Sequence, residues 1–260
     1  MAVVLAVVNQ KGGVGKSTTA LNLSAALARK GRRILLVDLD PQGNATSGLG
    51  IPKEGLRSSV YDVLLRRLPL RTVLLPTSVD GLEVAPSTVE LAGAEVELAT
   101  EEDRESRLRV ALEALQHRYD LVVVDCPPSL GLLTLNALVA ADLALLPIQC
   151  EYYALEGLSL LLRTLELVQR SLNPQLRMGG VVLTMYDPRT NLSEQVAREV
   201  RAFFGKEVFR TVIPRTVRLA EAPSHGQPIF LYDPHSRGAA AYEALAEEVA
   251  ERLWGEGKDE

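Results

Sequence analysis

Short apolar runs alternate along the chain with longer stretches whose apolar residues recur at helical spacing. Val3–Val8, Arg33–Val37, Leu82–Ala85, Tyr119–Val124, Leu143–Ile148, Gly180–Leu183 and Val208–Ile213 are too short for helices, and most are near-continuously apolar. That pattern predicts strands buried on both faces. Between them, Ser17–Lys30 places Leu21, Leu23 and Leu27 at helical spacing and stops at Gly31, a residue suited to a helix C-terminus. Val60–Arg67, Val89–Leu98, Arg104–His117, Leu130–Ala140, Ala154–Leu172, Leu192–Phe204 and Gly238–Trp254 read as further helices. Residues 41–58, rich in Gly, Pro, Asn and Ser, read as a surface loop. Strands alternating with helices predict an α/β fold, a three-layer doubly wound and mostly parallel sheet. With no internal repeat or low-complexity linker, residues 1–260 are expected to form a single domain.

Composition narrows this picture. Apolar residues make up 47% and charged residues 23%, ordinary values for a globular chain. No apolar run approaches the ~18 residues that span a bilayer, and the first strand lacks the basic flank of a signal peptide. Two cysteines, Cys126 and Cys150, each end an apolar run, as packed thiols do in a reducing compartment. A cytoplasmic protein with no membrane partner is therefore expected. The net charge is −5, but from Arg163 to Arg218 ten basic residues face five acids, a local +5 that leaves −10 elsewhere. Such asymmetry suits either a nucleic-acid face or a solvated arginine-rich surface.

The chemistry begins at Asn9-Gln10-Lys11-Gly12-Gly13-Val14-Gly15-Lys16-Ser17-Thr18. A strand, a glycine-rich turn and a helix start together form a phosphate cradle, because freed backbone N–H groups and the helix dipole meet at one concavity. Lys16 would lie over the β/γ-phosphates and Ser17 would offer its hydroxyl to Mg²⁺. This is the loop of the P-loop NTPase fold, with two departures: Gln10 stands where the pattern wants glycine, and a second lysine, Lys11, opens the loop. The alternative is a glycine-rich turn with two solvated lysines.

Ligands of doubly wound sheets bind beyond the carboxyl ends of the strands, where Asp38, Asp40 and Asp125 also fall. Asp125 ends an apolar run, as does the carboxylate that holds Mg²⁺ directly or through water in such enzymes; an aspartate capping a strand end fits as well. Asp38 and Asp40 share a face of an extended chain. One assignment has Asp40 orienting the attacking water and Asp38 nearer the metal, and the other has both capping the next loop.

Lys11-Gly12-Gly13-Val14-Gly15-Lys16-Ser17-Thr18 resembles the deviant phosphate loop of the ParA/MinD family of dimeric ATPases. Asp38-Leu39-Asp40-Pro41-Gln42-Gly43-Asn44, Asp125-Cys126-Pro127-Pro128-Ser129 and Glu151-Tyr152-Tyr153-Ala154-Leu155-Glu156-Gly157 are similar to its partition branch. So are Leu183-Thr184-Met185, Arg189-Thr190-Asn191, Ile213-Pro214-Arg215-Thr216-Val217-Arg218 and Glu221-Ala222-Pro223-Ser224-His225-Gly226. The resemblance implies an ATP- and Mg²⁺-dependent sandwich homodimer for chromosome or plasmid partition. Lys11 would reach the partner's phosphates. Lys16 and Ser17 would bind phosphate and metal, Asp40 would support hydrolysis, and Asp125 would belong to the metal shell. Met185, Pro214 and Thr216 would close around the adenine. It further implies that the ATP dimer binds double-stranded DNA without sequence preference through Arg189 and Arg218, associating with the nucleoid. A ParB-type centromere-binding protein would stimulate slow hydrolysis and so release the DNA.

Two rivals share the loop. A membrane-cycling ATPase of the MinD type needs a basic amphipathic C-terminal helix, whereas residues 243–260 are acid-rich and would be repelled by an anionic surface. An electron-transfer ATPase with an intersubunit iron–sulfur cluster would draw on Cys126 and Cys150, which lack glycine-flanked loops and read better as buried small apolar residues.

Overall fold

The computed structural model describes residues 2–152 and 158–255. Its strands are β1 (Val3–Val7), β2 (Ile34–Asp38), β3 (Leu75–Pro76), β4 (Leu82–Ala85), β5 (Leu121–Asp125), β6 (Leu143–Gln149), β7 (Arg177–Tyr186) and β8 (Val208–Pro214). The first six helices are α1 (Lys16–Arg29), α2 (Asn44–Gly48), α3 (Val60–Arg66), α4 (Leu91–Leu98), α5 (Arg107–Glu113) and α6 (Leu132–Ala140). After them come α7 (Leu158–Ser171), α8 (Asn191–Phe204), α9 (Val217–Glu221), α10 (Ile229–Tyr232) and α11 (Arg237–Trp254). The strands form one sheet in the order β3-β4-β2-β5-β1-β6-β7-β8, parallel except for the β3–β4 pair. The expected doubly wound sheet is present.

Alternate residues of one strand enter opposite layers, which is why the strands read as unbroken apolar runs. Val4, Ala6 and Val8, with Val122 and Val124 of β5, pack beneath α3 to α8. Leu5 and Val7, with Leu121 and Val123, pack beneath α1, α10 and α11. The apolar stripe of α11 (Ala239, Tyr242, Leu245, Ala246, Val249) is thereby spent on the second core. From β1 the chain runs through α1 to β2 on one side, whereas from its neighbour β6 it runs through α7 to β7 on the other, so the carboxyl end of β1 is the topological switch point.

Several boundaries differ from the sequence expectation. Residues 41–58 are not a surface loop throughout: they contain α2, with Ala45, Thr46 and Leu49 buried. Gly43, at φ 61°, turns the chain into that helix, a conformation glycine adopts without strain. Strand β7 spans ten residues rather than four, because pairing with both β6 and β8 extends it past its apolar centre. The helix expected over Arg104–His117 is regular only over Arg107–Glu113. The short α9, α10 and β3 carry too little periodicity to be seen in sequence. The expected helix start at Ala154, the Tyr153–Gly157 part of one motif and the last five residues of the acidic tail lie outside the described residues.

Candidate active site

The phosphate loop is built where β1 ends. Asn9 anchors it by donating its side-chain amide to the Pro147 carbonyl at 2.7 Å and accepting the Lys11 N–H at 3.0 Å. Gly13 and Gly15 take left-handed φ values of 75° and 87°, which a Cβ would strain. Thr184, from the end of β7, donates its hydroxyl to the Val14 carbonyl at 2.8 Å and braces the loop from the far side. Val14, expected at the site, is buried and lines neither of the site's two cavities, its carbonyl being taken by Thr184.

Helix α1 begins with Gly15 as its N-cap, and among the described residues it has no side-chain cap and no acid in its first turn. By contrast Thr190 caps α8 and Ser236 caps α11. The first N–H groups of α1 therefore remain available to an anion. Lys16 is 6% exposed and donates its Nζ to the Lys11 carbonyl at 3.1 Å. Desolvation lowers its pKa against the pull of Asp125, Cys126 and Asp40. An ammonium held under such conditions gains strongly from an arriving phosphate.

Asp38 and Asp125 are register neighbours on adjacent strands, and both are fully buried. Burial raises the Asp38 carboxyl to about 6, against hydrogen bonds from Thr46 and the Asp40 N–H. Its oxygens accept the Thr46 N–H at 2.8 Å, the Thr46 hydroxyl at 2.7 Å and the Asp40 N–H at 3.1 Å. Asp38 thus spends its acceptors on protein donors.

Asp125 differs. Both of its oxygens are buried without a hydrogen-bond partner among the described residues. Desolvation and the Asp38 charge push its pKa well up, while the nearby Ser17 hydroxyl and the Lys16 ammonium pull it down. A buried carboxylate with unused acceptors beside a hydroxyl and a phosphate cradle matches the hard-oxygen donor set of Mg²⁺, which takes one or two protein oxygens and completes its shell with phosphate and water. The residues present fit that ion.

Asp40 is 6% exposed, accepts the Gln42 N–H at 2.9 Å and lines a cavity of about 530 Å³. Gly12, Gly13, Gly15, Lys16, Ser17 and Thr18 line the same cavity, as do Met185 and, from motifs given no ligand role in the sequence reading, Pro128, Pro223 and Ser224. A second cavity of about 230 Å³ is lined by Met185, Pro214 and Thr216 and shares Gly15, Thr18 and Met185 with the first. Together they form a chamber that presents Lys16, Ser17, Thr18 and Asp40, joined to a more apolar slot, the division a triphosphate and a base require. Lys11 is outside both linings; its main chain is held by Asn9 and Lys16.

Arg189 and Arg218 follow the carboxyl ends of β7 and β8, the half of the sheet edge beyond the loop. Arg189 pairs with Asp187 through two hydrogen bonds, at 2.9 and 2.7 Å. Arg218 pairs with Glu221 at 3.2 Å and Asp233 at 3.3 Å. Cys126 and Cys150 are buried in the first core, and burial raises both thiols, Cys150 to about 11. That is the behaviour of packed side chains.

Sequence reasoning missed Thr46 and Ser87, which sit behind Asp38 and Asp40. Neither lies in a phosphate-loop pattern, and the strand end before Ser87 was the sole signal pointing to it.

Residues 2–178 match the family model described as an AAA domain. The chain is 58% identical over 250 residues to the sporulation initiation inhibitor protein Soj of Bacillus subtilis (strain 168), covering 96% of this chain and 99% of that protein. To the chromosome-partitioning ATPase Soj of Thermus thermophilus it is 56% identical over 249 residues, covering 96% of each. A solved structure titled cobyrinic acid a,c-diamide synthase, from Mycobacterium smegmatis with bound ADP and magnesium, superposes with a TM-score of 0.86 at 41% identity, covering 98% of this chain and 97% of that one. A phosphate loop at the switch point, with aspartates closing it from two neighbouring strands, accompanies near-full-length identity above one half, and on both grounds the chain belongs to the Soj/ParA family of chromosome-partitioning ATPases.

Proposed function

We propose that this chain, working as one domain, partitions DNA by a nucleotide-gated cycle. ATP with Mg²⁺ joins two copies into a sandwich, the sandwich grips double-stranded DNA irrespective of sequence, and hydrolysis stimulated by a ParB-type centromere-binding protein releases it. The observation that carries the nucleotide half is Asp125, whose unpartnered buried carboxylate stands beside Ser17 and Lys16. Ser17 and Asp125 would hold Mg²⁺, Asp125 directly or through water, and the bound ion would neutralise phosphate charge. Lys16 and the uncapped start of α1 bind the phosphates, Met185, Pro214 and Thr216 enclose the base, and Asp40 orients the attacking water. Asp38 stands one layer behind, fixing Thr46 and Asp40. Such positioning and charge neutralisation are what phosphoryl transfer asks of a protein.

The DNA half rests on the resemblance and on the +5 segment that contains Arg189 and Arg218. Each arginine is already ion-paired, so binding exchanges a carboxylate for a DNA phosphate, and a dimer that presents two such surfaces gains from linkage. The apolar face of α11 is engaged in the core, which supports DNA over a lipid surface as target, and with it a cytoplasmic, nucleoid-associated protein.

Measured across a salt series, DNA binding is expected with ATP or a non-hydrolysable analogue and not with ADP, with log affinity falling steeply against log salt. Arg189→Glu with Arg218→Glu should weaken binding at every sequence, reduce the slope by about 0.9 for each DNA phosphate no longer neutralised, and leave dimerisation intact. Binding that ignores nucleotide, or weakening confined to particular sequences, would refute the scheme. Lys11→Ala separates the interface from the site. It should bind ATP within a few-fold of the parent chain yet stay monomeric in light scattering, and an ATP-dependent dimer of ordinary affinity would remove Lys11 from the interface.

A further inference from the structure

Asp40 is held by a relay that starts on another strand. Ser87, two residues beyond the end of β4, donates its hydroxyl to the Asp40 carbonyl at 2.7 Å. Its own N–H donates to the Thr46 hydroxyl oxygen at 3.0 Å. That hydroxyl donates onward to Asp38 at 2.7 Å, and Asp38 accepts the Asp40 N–H at 3.1 Å. Ser87, Thr46 and Asp38 are each fully buried. The peptide groups on both sides of the Asp40 Cα are thus clamped, one from β2 and one from the end of β4.

We propose that Ser87 is a positioning residue for ATP hydrolysis, acting through Asp40; this rests on the assignment of Asp40 as the group that orients water. The hydroxyl meets the carbonyl of the very residue whose carboxylate lines the phosphate cavity. Beyond it the chain turns at once through Gly43, with the Gly43 N–H bonded back to the Asp40 carbonyl at 2.8 Å. Without Ser87 that carbonyl retains the turn bond alone, and rotation about the Asp40 backbone can swing the carboxylate. A displacement on the ångström scale is enough to slow a positioned reaction by up to about 10²-fold. Lys16, Ser17 and the first turn of α1 do not pass through this relay, so ATP binding is independent of it.

The test compares Ser87→Ala and Ser87→Cys with the parent chain, and repeats Ser87→Ala on Asp40→Ala, in single-turnover ATP hydrolysis with Mg²⁺. Ser87→Ala should lower kcat about tenfold with KM for ATP changed less than twofold. Ser87→Cys, a weak donor of similar size, should fall between, and it supplies the comparison if the alanine variant melts early. On the Asp40→Ala background the substitution should have no further effect, because residues that act as a unit are not additive. A parent-like kcat in Ser87→Ala overturns the proposal, as does a matching loss on the Asp40→Ala background, or a fall in ATP affinity equal to the fall in rate. If Asp40→Ala alone hydrolyses ATP at the parent rate, the assignment of Asp40 fails and the role of Ser87 fails with it.

Discussion

Lys16→Ala is expected to lose measurable ATP binding while remaining folded. The Lys16 ammonium is 6% exposed and tied to the Lys11 carbonyl, so its phosphate contact forms away from bulk water. Truncating one partner of a buried, hydrogen-bonded charge pair costs about 2–5 kcal/mol, on the order of a hundredfold or more in Kd. The deficit falls at the upper end here because Asp40 and Asp125, the carboxylates that act on Lys16, stay behind without their cation. Stability should move little. The lowered pKa of Lys16 means that burial outweighs its acidic neighbours in the ligand-free protein, so removing the ammonium removes a poorly solvated charge. Calorimetric titration with ATP and Mg²⁺, paired with a thermal melt, checks both statements. Parent-like affinity would refute the phosphate-loop assignment, and a melting loss of tens of degrees would refute the account of the buried lysine.

The second large effect is on turnover alone. Asp40→Ala should hydrolyse ATP about 10²–10⁴-fold more slowly, the range lost with a positioned general base, and should accumulate as an ATP dimer that holds DNA. Affinity for ATP should not fall, because the Asp40 charge bears on both Asp38 and Asp125 and its removal relieves like-charge repulsion. The loop should survive, since the Asp40 main chain keeps its bonds to Asp38 and Ser87; only the side-chain bond to the Gln42 N–H disappears. Asp40→Asn, which keeps an acceptor for Gln42, should be equally slow if the charge is what matters. Light scattering with ATP and rapid quench measure the two halves. A variant that is monomeric with ATP, or that turns over at the parent rate, would leave Asp40 without the role assigned to it.

Strands and phosphate loop were legible in the chain because each is a local property. β1, β2, β5 and β6 are buried on both faces, so their apolar runs are unbroken, and the glycines at 13 and 15 mark a backbone conformation that side chains disfavour. Asp38, Asp40 and Asp125 could be placed at one edge because each follows such a run. Their different uses could not be read, since Asp38 and Asp125 look alike in sequence and differ only in what surrounds them. Thr46 donates twice to Asp38, while among the described residues neither oxygen of Asp125 has a partner in hydrogen-bond geometry, the Ser17 hydroxyl standing near it. Residues 41–58 misled for the same reason: glycine, asparagine and serine mark turns wherever they occur, and burial of α2 depends on packing against α1 and the segment at 222–225.

By itself the sequence determined the alternation of strands and helices, the phosphate cradle, the acids at the strand ends and the arginine-rich segment, because periodicity, glycine placement and charge are carried along the chain. Tertiary structure alone decided which acid is satisfied and which stands unpaired, and it joined Ser87 to Asp40 across 47 residues. The physical reason is that hydrogen-bond satisfaction inside a buried site is a property of neighbours in space, and the sheet order β4-β2-β5-β1 chooses those neighbours.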